Sequence, residues 1–385
     1  MPNTEHKLDP DTGIILVAAG NGSRFGGDKI WAPLMGKPLV SWSLKTCLDS
    51  VPGCLVLVHS GDADKFSKLD QREYKCVRGG HTRRQSVIEG LNALPENIKH
   101  VLIHDAARPG LEPALIKKVR NAIDGGQPAL PVLALTDTIR EIGHGKSIDR
   151  NQFRAAQTPQ GFSRSILVDA ILNTDKDQTD EIEATSACGL TPIFVEGSAR
   201  NLKITYPQDL QILEAIMRAQ MVTTIGHGFD VHRFCAHDEC LDRQLKLGGI
   251  IIPGVRALSG HSDADVLLHA LCDGIYGAIG DGDIGTHFPP TEDEWKDQDS
   301  TLFLEHALGL IHEKDGELVH IDLTLICEEP KLRPFAQQVK ERLSALTKLD
   351  INRIGLKATT TEQLGFTGRR EGIAAQALVT LRVPV

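Results

Sequence analysis

Aromatic residues make up only 4% of this 385-residue chain, and no basic stripe accompanies them. A nucleic-acid surface needs cations for phosphate and flat rings for bases, so nucleic acid is not an expected partner. No uninterrupted apolar run reaches the roughly 18 residues that span a bilayer, and no membrane association is expected. The N-terminal segment MPNTEHKLDPDTG is polar and acidic, with neither an apolar signal core nor Arg/Ser-rich transit character. Eight cysteines are scattered without a CxxC pair, which excludes a zinc ribbon or a small disulfide framework. A reduced, cytoplasmic protein is the expectation. What is present is ordinary globular material: 41% apolar and 24% charged residues, on a chain long enough for two domains.

The formal charge of −9 is unevenly spread. Up to Val222 there are 26 Lys+Arg against 26 Asp+Glu, whereas from Thr223 onward the counts are 16 and 25. Nine of the 15 histidines also lie in that second part. An acidic, His-rich domain points to metal ligation, with solvated acidic surface as the plain alternative.

Short apolar runs alternate with helical spacing in the first part. The runs are 13–20, 54–60, 100–109, 128–135 and 192–197, and the helical segments include 39–50, 83–94, 113–124 and 164–173. This predicts an α/β domain of Rossmann type, a mainly parallel sheet with helices on both faces. Asp180 followed by Glu183 reads as a helix start and Gly189 as a stop. Pro207 opens a last helix over 207–220. The pattern restarts at MVTTIG (221–226), placing a domain boundary near 222 and giving domains 1–222 and 223–385. The second part reads as α+β, a sheet covered by helices on one face. Its predicted helices are 262–279, 300–313 and 331–347, and its strands include 318–327, 353–360 and 373–383.

LVAAGNGSRFGGDK (16–29) follows the first strand. Ala18, Ala19, Gly20 and Gly22 let backbone N–H groups approach phosphate, while Arg24 and Lys29 add two fixed cations. A triphosphate losing pyrophosphate needs that combination, because charge builds on its oxygens in the transition state. The loop is neither a Walker A loop nor GxGxxG. GGHTRRQSV (79–87), HDAARP (104–109), DRNQFRAAQTPQGF (149–162), TDEIEA (179–184) and NLKIT (201–205) all stand beside expected strand ends, where open α/β sheets bind ligands. In these motifs the stretch 13–220 resembles the 2-C-methyl-D-erythritol 4-phosphate cytidylyltransferases. The resemblance implies that Arg24, Lys29 and Lys203 stabilise the triphosphate. It assigns the 18–20 backbone, Gly80 and Ser86 to the cytidine. Asp105, Arg108, Thr138, Arg150, Thr158 and Thr179 would hold methylerythritol phosphate, with Mg²⁺ bridging the phosphates of CTP. His81 stands where the family often has a carboxylate. Arg83, Arg84, Lys117 and Lys118 read as a solvated face.

GHGFDVHRF (226–234) sets Asp230 and His232 two apart, hence on one side of an extended segment. HSDADVLLHALCDG (261–274) reads as a helix with Ser262 as N-cap and Asp265 at its third position. His269 and Asp273, four apart, share a helix face. Asp230, His232 and His269 make three ligands with an open fourth place, the pattern of a catalytic zinc, and an Asp/His/His set accepts several divalent ions. Asp273 is placed to orient a ligand or guard the substrate. KATTTEQLGFTGRREG (357–372) offers hydroxyl donors to phosphate and Glu362 to a hard cation such as Mg²⁺. GDIGTHFPP (282–290) puts Asp283 on a tight glycine turn.

As a set these motifs resemble the 2-C-methyl-D-erythritol 2,4-cyclodiphosphate synthases over 223–384. The resemblance implies Zn²⁺ on Asp230, His232 and His269, and Mg²⁺ on Glu362. It implies substrate contacts from His261, Ser262, Asp265 and Asp273, and Asp283 on the diol. Thr359, Thr360, Lys331, Phe366 and Arg369 would lie near the nucleotide, and Pro290 stands where the family often has Asp. The implied partners are CTP, methylerythritol phosphate and its cytidine diphosphate derivatives. The implied assembly is a trimer of back domains, with the 137–155 segment of each front domain reaching a two-fold partner, and so a hexamer of D₃ symmetry. A different nucleotidyltransferase fused to a zinc phosphohydrolase is the alternative enzyme, and a scaffold with a structural metal the alternative class.

Overall fold

The computed structural model describes residues 8–20, 22, 24–51, 54–61, 63–173, 180–237, 239–240, 242–289, 295 and 298–384. The chain divides into two compact units, Met1–Ala219 and Gln220–Val385.

The first unit is built on an eight-stranded sheet. Along its path lie Arg154–Ala156, Ala129–Ala134, Gln160–Ser163, His100–Asp105, Thr12–Ala18, Leu55–His59 and Lys75–Arg78, with Ile193–Glu196 paired to Ala129–Ala134. The four strands from His100–Asp105 to Lys75–Arg78 run parallel, while Gln160–Ser163 and Arg154–Ala156 are antiparallel insertions. Successive side chains of the central strand alternate between two cores. Ile14 and Leu16 pack with helices Leu39–Ser50 and Pro113–Ala122, whereas Ile15 packs with Arg83–Ala93 and Arg164–Leu172. Both faces are therefore covered, and the strands read as nearly continuous apolar runs.

The helix Leu39–Ser50 has the bounds its spacing predicts, and Pro113–Ala122 and Pro207–Arg218 begin at their prolines. Asp180 caps the helix Glu181–Ala187 by accepting from the Glu183 N–H, and Gly189 follows it at φ +87°. Sequence spacing missed the strands Lys75–Arg78 and Gln160–Ser163, which are short and not distinctively apolar.

The second unit carries a four-stranded sheet in the order Met221–Arg233, Gly372–Pro384, Glu317–Ile326, Ile354–Thr359. One face packs against helices Val266–Ile279 and Ser300–Glu313 around a single core. The first strand runs far beyond MVTTIG, through Gly226 and Gly228 to Arg233. Those glycines are required there: a methyl on either would stand 1.8 Å from a carbonyl oxygen of the helix Val266–Ile279. The expected helix over 331–347 begins only at Ala336.

Two readings are corrected. The helix after HSDAD starts at Val266, not 262, and its N-cap is Asp265, whose carboxylate accepts from the N–H groups of Leu267 and Leu268. The chain is also not wholly reduced. Cys235 and Cys240 are joined, with Cα atoms 6.1 Å apart. The turn between them is folded back by Glu239, which accepts from the Ala236 N–H and pairs with Arg233.

Candidate active sites

The parallel strands of the first unit end together, and their C-terminal ends form a cleft of about 260 Å³. Ala18, Ala19 and Gly20 line it from the first strand, Gly80 and Ser86 from the turn into helix Arg83–Ala93, and Asp105 from the strand His100–Asp105. Lys29 and Lys203 complete the wall. That helix starts on a capping box in which Thr82 and Gln85 satisfy each other's backbone N–H groups, and Ser86 Oγ donates to the Thr82 carbonyl at 3.0 Å. Gly80 has no room for a side chain, since a methyl would lie 2.3 Å from Gln85 Cβ.

Asp105 is the electrostatic centre of the cleft. Lys203 Nζ donates to one of its oxygens at 2.7 Å, and Arg83 approaches the other at 3.5 Å. Burial alone would raise this carboxyl, but the charges of Arg83, Lys203 and Arg108 hold it well below the ordinary range. Arg83 also pairs with the carboxylate of Glu181, which burial pushes upward against that guanidinium. The solvated-face reading of Arg83 is therefore wrong: it lines the cleft and is tied to two acids. Arg84 likewise turns in, onto the Ile171 carbonyl. Burial and the neighbouring Lys203 lower the Lys29 ammonium below an ordinary lysine.

Other expected contacts fall elsewhere. Thr158 is buried, accepting from the Asp105 N–H at 3.1 Å and bonding His104 Nδ1 at 2.9 Å. Burial pushes His104 down to about 4, so the ring is neutral at physiological pH; its Nε2–H donates to the Arg108 carbonyl at 3.2 Å. The Arg108 guanidinium donates to the carbonyls of Asn201 and Ala156 at 2.9 and 3.1 Å. Arg108 and Thr158 brace the strand ends directly behind the residues that line the cleft. Arg24 is exposed in the turn before Lys29, close enough for its charge to lower that lysine. Thr138 and Arg150 sit on an exposed arm, where Arg150 donates to the Thr136 carbonyl, and they too are away from the cleft wall. Thr179 and Pro290 lie outside the described residues.

In the second unit the strand Met221–Arg233 and the helix Val266–Ile279 bring Asp230, His232 and His269 together, their ligand atoms all within 4.8 Å of one another. Asp230 Oδ2 lies 3.0 Å from His232 Nε2 and 3.1 Å from His269 Nδ1, and the two nitrogens are 3.1 Å apart. The far ring nitrogens have their own partners: His232 Nδ1 meets the Ser259 carbonyl at 2.9 Å, which obliges it to carry the proton, and His269 Nε2 meets the hydroxyls of Ser262 and Ser300. Acceptor atoms thus converge on one point, the arrangement a divalent cation requires.

Asp265 is not available to substrate. It is fully buried, and besides capping its helix it accepts from the Gly248 and Gly249 N–H groups at 2.9 and 2.7 Å. Asp273 accepts from the Ile284 N–H at 2.8 Å, anchoring the segment that carries exposed Asp283. Asp283 itself bonds the N–H and hydroxyl of Thr286. His261, Lys331, Thr359, Phe366 and Arg369 are exposed, the last paired with Glu371. Glu362 is exposed at φ +52°, one oxygen accepting from the Thr360 hydroxyl at 2.7 Å. Sheet register sets His232 opposite Ile373, Ile326 opposite Ala374, and Thr359 opposite Ile326. The Asp230–His232–His269 cluster and the 359–371 segment therefore share one end of the sheet, but His232 and Thr359 occupy opposite edges, three strand spacings or roughly 14 Å apart.

Comparison with known proteins matches both units of the chain. A family model described as 2-C-methyl-D-erythritol 4-phosphate cytidylyltransferase matches residues 12–219, and one described as the YgbB family matches 223–382. The "Bifunctional enzyme IspD/IspF" of Dinoroseobacter shibae is 42% identical, covering 99% of this chain and 96% of its own. That of Granulibacter bethesdensis is 44% identical, covering 96% and 98%. The solved bifunctional IspDF from Campylobacter jejuni is 32% identical over 97% of this chain and 98% of its own, at a TM-score of 0.48. With both halves matched in order and relatives above 40% identical along nearly the whole length, the chain belongs to the bifunctional IspD/IspF enzymes of isoprenoid precursor biosynthesis, a cytidylyltransferase joined to a cyclodiphosphate synthase.

Proposed function

We propose that the cleft at the strand ends transfers CMP from CTP to 2-C-methyl-D-erythritol 4-phosphate, and that the Asp230–His232–His269 site cyclises the later cytidine diphosphate derivative with release of CMP. The observation that carries this is the separation of two constellations into two units, one cationic and glycine-lined, the other a three-ligand cluster. Ala18, Ala19, Gly20, Gly80 and Ser86 form the part of the wall that fits cytidine. Lys29 and Lys203 face the triphosphate, with Arg24 closing over it. A phosphate oxygen of methylerythritol phosphate attacks the α-phosphorus, the α–β bond breaks, and pyrophosphate carries the electrons away. Fixed cations aimed at that developing charge lower the barrier without moving. Asp105, held ionised by Arg83 and Lys203, is placed to accept from substrate hydroxyls.

In the second unit, Zn²⁺ on Asp230, His232 and His269, with Mg²⁺ on Glu362, would supply Lewis-acid polarisation and neutralise phosphate charge, as Mg²⁺ held by the triphosphate would at the first site. No side chain has to act as nucleophile, because the substrate's own 2-phosphate attacks its β-phosphorus and CMP leaves. Holding both ends of one molecule makes the step effectively unimolecular. His261, Ser262 and Asp283 suit the substrate's phosphate and diol, and Thr359, Thr360, Lys331, Phe366 and Arg369 suit its nucleotide.

Two features favour a trimer of the second unit. Ile225, Phe229, Val231 and Leu378 are 40–69% exposed on the sheet face opposite the helix Val266–Ile279, which no helix among the described residues covers. The metal ligands and Thr359 lie at opposite edges, so a second chain's edge would complete each site. The exposed arm bearing Thr138 and Arg150 suits a two-fold contact between first units, and three-fold plus two-fold contacts close as a D₃ hexamer. Light scattering decides: about 251 kDa, six times 41.9, is expected, about 126 kDa means a trimer only, and a monomer refutes the shared site. Function is tested by incubating the chain with CTP, methylerythritol phosphate and Mg²⁺ and scoring pyrophosphate. Preference for another nucleotide or sugar phosphate would sink the first assignment.

A further inference from the structure

We propose that Ser300 and Asp263 are positioning residues for the metal site, joined to His269 in a carboxylate–hydroxyl–imidazole relay that fixes the ring's tautomer and strengthens it as a ligand. The proposal rests on the reading of Asp230, His232 and His269 as a metal centre.

The relay's polarity follows from donor and acceptor chemistry. A neutral imidazole carries one N–H, and His269 has different company at each nitrogen. Nδ1 faces Asp230 Oδ2 and His232 Nε2, each at 3.1 Å, while Nε2 lies 2.9 Å from Ser300 Oγ and 3.1 Å from Ser262 Oγ. Ser300 is fully buried, and its Oγ also sits against Asp263 Oδ1. An ionised carboxylate only accepts, so the Ser300 hydroxyl proton is committed to Asp263 and its lone pairs face His269. The Nε2 therefore carries the ring proton, and the Nδ1 lone pair is left for a cation.

Asp263 is itself held in place. Its Oδ1 accepts from the Ser300 N–H at 3.2 Å, and its Oδ2 from Lys246 Nζ at 2.9 Å. Lys246 also bonds Asp299 at 2.8 Å, the residue that caps the helix Ser300–Glu313. One helix start thus supplies both the hydroxyl and the anchor for the carboxylate. Ser262 differs: its Oγ accepts from the Ala264 N–H at 3.2 Å, and among the described residues no carboxylate bonds it. Negative charge delivered through Ser300 makes Nδ1 a better donor, and outer partners of this kind change metal affinity by roughly 10–100-fold.

The test is chelator competition for Zn²⁺ on the full-length chain, with the spectrum of Co²⁺-loaded protein as a second readout and circular dichroism to verify folding. Ser300→Ala is expected to bind Zn²⁺ roughly 10–100-fold more weakly and to shift the Co²⁺ bands. Asp263→Asn, which keeps an acceptor oxygen but removes the charge, should weaken binding in the same direction; it keeps the proposal testable should Ser300→Ala not fold. Ser262→Ala should cost distinctly less. Wild-type affinity in Asp263→Asn, or equal losses in Ser262→Ala and Ser300→Ala, would overturn the relay while leaving the metal centre standing. A wild-type chain that binds neither Zn²⁺ nor Co²⁺ would overturn the metal centre itself, and the relay with it.

Discussion

Gly228→Ala should damage the second site from the far side of its helix. A methyl at residue 228 would stand 1.8 Å from the Ala270 carbonyl oxygen and 2.7 Å from the Gly274 nitrogen. Ordinary contact begins near 3.4 Å, so strand and helix must separate by about 1.6 Å. Overpacking of this kind costs about 1–3 kcal/mol, and rigid backbone on both sides puts this case at the upper end. The consequence for function is larger than the stability loss. Asp230 and His232 are on the strand and His269 is on the helix, and their ligand atoms span no more than 4.8 Å. A 1.6 Å shift is a third of that span, whereas metal–ligand distances tolerate about 0.2 Å. Metal affinity should fall by at least an order of magnitude. Urea denaturation and chelator competition on the full-length variant measure the two effects, and pyrophosphate release by the first unit serves as internal control. A variant that unfolds at the wild-type urea concentration and keeps wild-type metal affinity would refute the close-approach argument.

Lys29→Ala should cut cytidylyl transfer by on the order of 10²-fold or more while leaving CMP release by the second site intact; joint collapse in folded protein would contradict independent sites. Because burial and Lys203 lower the Lys29 ammonium, which must be charged to act, kcat/KM for CTP should fall on the alkaline side before the ordinary lysine range near about 10.4 is reached. An unchanged profile up to that range would speak against it. Arg83→Met removes the guanidinium paired with buried Glu181 and should cost about 3–5 kcal/mol in urea unfolding, along with first-site activity. Adding Glu181→Gln should restore part of the stability, and no recovery would mean the pair is not coupled. His269→Ala should abolish bound transition metal and cyclisation together, as elemental analysis and CMP release would show, with cytidylyl transfer spared.

Local spacing was enough for the features whose partners lie within a few residues. The helix Leu39–Ser50 follows from its apolar period, and the placing of Asp230 beside His232 from a strand's period of two. Where partners are distant, the sequence was silent or misleading. Arg83 reads as a surface cation because Glu181 lies 98 residues away and Asp105 22. Ser262 and Asp265 are equally good N-caps by composition. Asp265 wins because Gly248 and Gly249 bring two more N–H donors to its carboxylate. Gly226 and Gly228 would ordinarily argue against a strand interior. The strand continues through them because a helix from 40 residues onward packs directly on its backbone. Residue type and spacing determined which chemistry the chain carries. Tertiary structure decided which charged groups face the cleft and which are spent holding it, since burial and pairing depend on segments that meet only when the chain is folded.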